Sequence, residues 1–203
     1  MRLWVLRLGL AVWICIKLAL GQSAMAGEVL NTPPSSPDPT KTYLFYMHGR
    51  YIEKRGPDAD YRYASILEAL AKKDLIVIGE VRGDTAFGKY AAKIVSQARS
   101  LLEAGVPVSN ITVAGHSKGG FISLIVSTRL GESSIKYGVM AACGVEGTGF
   151  RRPYQRFIRK DAHRAKGRFL VAWEQGDTEA GKCDAALDKA GVEYHNEVLT
   201  VGG

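Results

Sequence analysis

The 203-residue sequence has little of several things that would commit it to common chemistries. Neither G-x-x-x-x-G-K-[S/T] nor G-x-G-x-x-G occurs, so a glycine-rich phosphate cradle has no support. Three cysteines and four histidines show no zinc-ligand spacing; no metal and no cofactor is expected. Aromatic residues make up only 9% of the chain and do not interleave with a basic stripe, so nucleic acid is not an expected partner. Repeats are missing, and the single low-complexity tract is a short proline segment.

One apolar run of length is present, at the start. Residues 8–20 are apolar apart from Lys17, Arg2 and Arg7 precede them, and Ala24-Met25-Ala26 supplies small residues at the positions a signal peptidase reads. This pattern predicts a secretory signal over residues 1–26, cleaved before Gly27. The rival is an uncleaved anchor, which Lys17 interrupts short of the roughly 20 apolar residues a span needs. Cleavage predicts a secreted or periplasmic protein with no stable membrane anchor. It leaves 177 residues, enough for one domain with a core, and removal of three cations takes the net charge from +7 to +4. Cys15 leaves with the signal, and Cys143 and Cys183 stay. In an exported domain such a pair reads as one disulfide, with two buried thiols as the alternative.

Residues 27–41 hold four of the seven prolines and predict an extended lead-in. From residue 42 strand and helix patterns alternate. Strands are predicted over 42–47, 75–78, 110–114, 136–142, 168–173 and 193–201. Helices are predicted over 61–73, 87–103, 119–130 and 182–190. The alternation predicts an α/β domain over 42–203, a mostly parallel sheet with helices on both faces. Residues 145–167 break the pattern with seven Lys and Arg among four large apolar side chains. They predict a short amphipathic helix, either a lid recruiting an anionic group or an exposed crossover with a solvated charged face.

The sharpest motif is Gly115-His116-Ser117-Lys118-Gly119-Gly120, set between an apolar strand and an apolar helix. That is the context of a G-x-S-x-G nucleophile elbow. A serine needs to stand clear of the sheet and to lose its proton to a base. The tight turn meets the first need; Gly115 and Gly119 leave it room. Helix N–H groups beside the serine suit a developing oxyanion, and Lys118 N–H is the first candidate donor. His48-Gly49-Arg50 follows the 42–47 strand, where a second donor would come from Gly49 or Arg50 and His48 would brace the loop.

With Tyr46-Met47-His48-Gly49 and the elbow together, the chain resembles the α/β-hydrolase superfamily from about residue 42 to 203. The resemblance implies a serine, an acid and a histidine in that order along the chain. Asp177, after the 168–173 strand, matches the acid; Glu174 is the fallback. The implied histidine would follow the last strand. His48, His116, His163 and His195 all lie elsewhere, and the sequence reaches Gly202-Gly203 without one. The C-terminal end is therefore expected to be incomplete: a piece of a longer hydrolase, or a complete protein without its base. Either way, poor hydrolysis is expected. The implied strand order also sets residues 143 and 183 side by side, where a Cys143–Cys183 bond would staple the acid loop to the sheet. The function implied is an exported serine hydrolase acting on a small-molecule ester. A non-catalytic binding protein on the same scaffold is the alternative.

Overall fold

The computed structural model describes residues 27–200; the signal reading of residues 1–26 lies outside them, as do residues 201–203. The chain begins with β1 (Glu28–Leu30) and β2 (Thr42–Met47), then α1 (Arg50–Arg55) and α2 (Tyr63–Ala71). After β3 (Leu75–Ile78) come α3 (Phe87–Glu103), β4 (Ile111–His116), α4 (Lys118–Leu130) and β5 (Lys136–Met140). The last third holds β6 (Cys143–Gly144), α5 (Arg151–Lys160), β7 (Arg168–Glu174), β8 (Ala180–Gly181), α6 (Asp184–Ala190) and β9 (Tyr194–Leu199).

Seven strands form one sheet in the order β1, β3, β2, β4, β5, β7, β9, and every neighbouring pair is parallel. Successive strand residues face opposite sides. Tyr43, Phe45, Val113, Val139 and Val171 pack with α3, α4 and α6. Leu44, Val77 and Ala114 pack with α1 and α2 on the other face. Burial on both faces is why these strands read as apolar runs without alternation. The α/β class, the parallel sheet and the helices on both faces are those the sequence predicts.

Helix α3 has the predicted bounds. Its buried residues Tyr90, Ala91, Ile94, Val95, Ala98 and Leu101 recur at helical spacing, and Gly105, at φ 88°, turns the chain out of it. Helix α4 is buried nearly all round, because it lies between α3 and the centre of the sheet.

Several bounds differ, each for a local reason. The lead-in contains β1, which adds to the sheet edge through β3; three residues are too few to show a period. Helix α2 starts at Tyr63, since Arg62 is left-handed at φ 41°. Strand β5 stops at Met140, where Ala141 turns at φ 46°. Beyond it β6 pairs antiparallel with β8 in a two-stranded ribbon, and Cys143 is disulfide-bonded to Cys183. In the 145–167 segment, Tyr154 and Phe157 of α5 are buried in the core while Arg152, Arg156, Arg159 and Lys160 stay exposed. That is the crossover helix with a solvated face; Gly149 and Phe150, just before α5, reach the cavities described next.

Candidate active site

Strand β4 runs to His116 and α4 begins at Lys118, so the reversal rests on Ser117 alone. Its backbone sits at φ 52°, ψ −116°, a region that costs a non-glycine residue about 1–3 kcal/mol. Tight packing on either side holds it there. A Cβ at Gly115 would lie 2.7 Å from the Gly119 carbonyl oxygen, and one at Gly119 would lie 2.6 Å from the Met47 carbonyl carbon. At Gly120 it would lie 2.7 Å from the Ala142 methyl. Helix, strand β2 and the end of β5 thus approach more closely than side chains allow, and the third glycine matters as much as the two of the motif.

The Ser117 N–H donates to the Met140 carbonyl at 2.8 Å, and the first helical bond runs from Phe121 N–H to the Ser117 carbonyl at 3.0 Å. The N–H groups of Lys118, Gly119 and Gly120 are therefore the ones the helix does not use. Gly49 lies directly against the serine: a Cβ there would be 3.2 Å from the Ser117 Cβ. Arg50 opens α1, with Gly49 as its N-cap.

This loop is held by a buried polar cluster. His48 is 2% exposed. Its Nε2 accepts from the Arg82 backbone N–H at 2.9 Å, and Nδ1 lies 2.8 Å from the Gly49 carbonyl oxygen. With Nε2 accepting, the ring proton sits on Nδ1 and donates to that carbonyl. Burial, then the Arg82 charge, pulls the imidazole down to about 4, so His48 is neutral at neutral pH. The Arg82 guanidinium donates to the His48 carbonyl and to Glu53 Oε1 at 2.7 Å. Glu53 Oε2 accepts from Lys118 Nζ at 2.8 Å. Both ends of each ion pair are at most 4% exposed. One carboxylate thus ties the residue after the serine to the loop facing it. Sequence reasoning assigned Lys118 only a backbone role and missed Glu53 and Arg82, whose separations of 65 and 29 residues carry no local period.

Asp177 lies in the loop after β7. Its Oδ1 accepts from the N–H groups of Glu179 at 2.8 Å and Ala180 at 3.0 Å, while Oδ2 has no hydrogen bond among the described residues. Asp177 and Ser117 line the same cavity, of about 350 Å³, with His116, Ala141, Ala142 and Ala180. Glu174 instead accepts from the Gly176 N–H at 2.8 Å and does not line it. The Cys143–Cys183 bond closes the ribbon that carries this loop.

The four histidines are dispersed. His48 is spent within its loop, and His116 is next to the serine, its basicity lowered by burial. His163 is exposed after α5, and His195 on β9 lies 3.3 Å from Glu197. Among the described residues no histidine ring is hydrogen-bonded to Ser117 or Asp177, and no group of three or more His, Cys, Asp or Glu converges on a metal position. No described helix is long and apolar enough to cross a membrane.

No protein-family model matches the sequence, and no curated protein does. Solved structures do match. Arabidopsis thaliana SOBER1 is 12% identical with a TM-score of 0.53, over 80% of this chain and 90% of that one. Esterase PE8 is 14% identical at a TM-score of 0.53, over 84% and 87%. The thermophilic esterase Est2 of the Planctomycetes species Thermogutta terrifontis is 13% identical at a TM-score of 0.53, over 84% and 77%. At these identities the likeness is one of architecture: the chain has the α/β-hydrolase fold.

Proposed function

We propose that the protein is an exported serine hydrolase of carboxylic esters. The observation that carries this is the strained Ser117 at the β4–α4 reversal, opening onto a cavity it shares with Asp177. In this reading the Ser117 hydroxyl attacks the ester carbonyl. The oxyanion that forms accepts hydrogen bonds from Lys118 N–H and from Gly49 or Arg50 N–H. Collapse expels the alcohol and leaves an acyl-enzyme, which water hydrolyses. Asp177 offers Oδ2 to orient a base. In this reading the base that Asp177 orients is not one of the described histidines. Export draws support from the signal pattern at residues 1–26 and from the Cys143–Cys183 bond, which suits an oxidising compartment.

A second reading is a binding protein that uses the cavity without chemistry; the aromatic wall of the cavity, with Tyr61 and Phe150, supports it. A fluorophosphonate probe separates the two. The hydrolase reading expects stoichiometric labelling at Ser117, its loss in Ser117→Ala, and acceleration by added imidazole, which is small enough for the cavity beside Asp177. Folded protein that takes no label with or without imidazole overturns it in favour of binding.

A further inference from the structure

Two cavities meet at Ser117, and their walls differ in chemistry. The one holding Asp177 shares Tyr61, His116, Phe150 and Glu179 with the other and adds only the small side chains of Ala141, Ala142 and Ala180 beside the carboxylate. The other, of about 550 Å³, lies on the α1–α2 side and carries Tyr46, Tyr51, Tyr61, Tyr63 and Phe150. Tyr51 is 38% exposed and Tyr61 47%, yet neither ring is loose. The Tyr51 hydroxyl donates to Asp60 at 2.8 Å, the two rings meet edge to face at 5.0 Å, and Tyr61 lies over His116 at 5.5 Å. A run of held rings thus leads from the rim to the residue beside the nucleophile. Large aromatic faces kept open at a cavity are binding surfaces rather than unfinished core.

The reaction decides which half of an ester meets them; this step rests on Ser117 being the nucleophile. Asp177 offers Oδ2 to orient a base, such as the added imidazole, and the departing alkoxide takes its proton from that base. The alcohol therefore leaves through the Asp177 cavity, and the acyl group occupies the tyrosine cavity. We propose that this acyl group is aromatic, so that the substrates are esters of aryl carboxylic acids. The Ser117 Oγ–acyl bond forms as the bond to the alcohol oxygen breaks, with the serine proton ending on the alcohol. Water then gives its hydroxyl to the acyl carbon and its proton back to the serine, freeing the arenecarboxylic acid. The planar acyl group lies against Tyr61 and Tyr51, offset or edge-on, as their quadrupoles favour.

Binding by full-length Ser117→Ala, followed by NMR titration, tests this without turnover. The probes are methyl benzoate and methyl heptanoate, whose acyl groups have equal carbon counts. The heptanoate carries more apolar surface, so burial alone ranks it first. The proposal expects the benzoate to bind about tenfold more tightly, the gain of contacts to two or three rings. It also expects Tyr51 and Tyr61 ring signals to shift, and near-equal affinities in Ser117→Ala/Tyr61→Leu. Equal or reversed ranking, or a preference that survives Tyr61→Leu, overturns it. Preference for the benzoate without phosphonate labelling of the wild type leaves the aryl site standing as a binding site and removes the ester chemistry. Labelling without preference removes the aryl assignment alone.

Discussion

His48 uses both ring nitrogens, one to hold the Gly49 carbonyl and one to receive the Arg82 N–H. Protonation would turn the acceptor into a donor facing a donor, beside two buried cations. The folded imidazole stays neutral down to about 4, against 6.5 when exposed. Between those values the unfolded chain holds the extra proton. The contribution of neutral His48 is complete above about pH 6.5 and fades as pH falls toward 4, by about 3 kcal/mol in all. Urea unfolding between pH 7 and 4 should show that slope, and His48→Gln should flatten it. A second residue sets two effects against each other. Helix propensity favours Gly119→Ala by about 1 kcal/mol, but the new methyl would strike the Met47 carbonyl. The clash wins, and the variant should lose about 3 kcal/mol in chemical unfolding; unchanged stability would mean β2 and α4 are not so close. At this scale the elbow was legible because Gly115, Ser117 and Gly119 fall within five consecutive residues. The Glu53 carboxylate between Lys118 and Arg82 was not, since its partners are distant along the chain and each alone reads as surface charge.

Among elements, length decided what could be read. Helix α3 repeats its apolar face over 17 residues, and its ends were plain. Strands β1, β6 and β8 have two or three residues each and exist through their partners, so no local pattern announced them. Helix α1 was missed for another reason: it starts at Arg50, directly after the Gly49 turn, where His-Gly-Arg read as a loop. The β6–β8 ribbon matters beyond its size, because the disulfide beneath it closes a 40-residue stretch. Removing that link in Cys143→Ser/Cys183→Ser should cost about 4 kcal/mol by the chain-entropy account. The Asp177 loop, in which Asp177 accepts two backbone N–H groups, should then exchange amide hydrogens faster. Hydrogen exchange over residues 174–181 checks this; unchanged protection would show that the loop holds itself.

For the molecule as a whole, alternation of strands and helices was enough to reveal a parallel sheet with helices on both faces. It could not reveal how far each helix layer extends. Helix α2 packs against β1 and β3, whereas on the same face Leu170 of β7 is 48% exposed and Leu199 of β9 is 50% exposed. On that face His195, Glu197 and Glu174 stand between the two leucines, so no continuous apolar patch forms, and Leu170→Lys should leave the melting temperature and the concentration dependence of light scattering unchanged. The sheet also has a kinetic side. Its rungs join residues such as Thr112 with Lys136 and Phe169 with Tyr194, and no two neighbours are linked by a tight turn. With no hairpin to begin from, every rung waits for a loop of two dozen residues or more to close. Refolding should therefore run on the slow side of single-domain rates, and in that interval the strand edges lie open to chaperones and the thiols at 143 and 183 to oxidants.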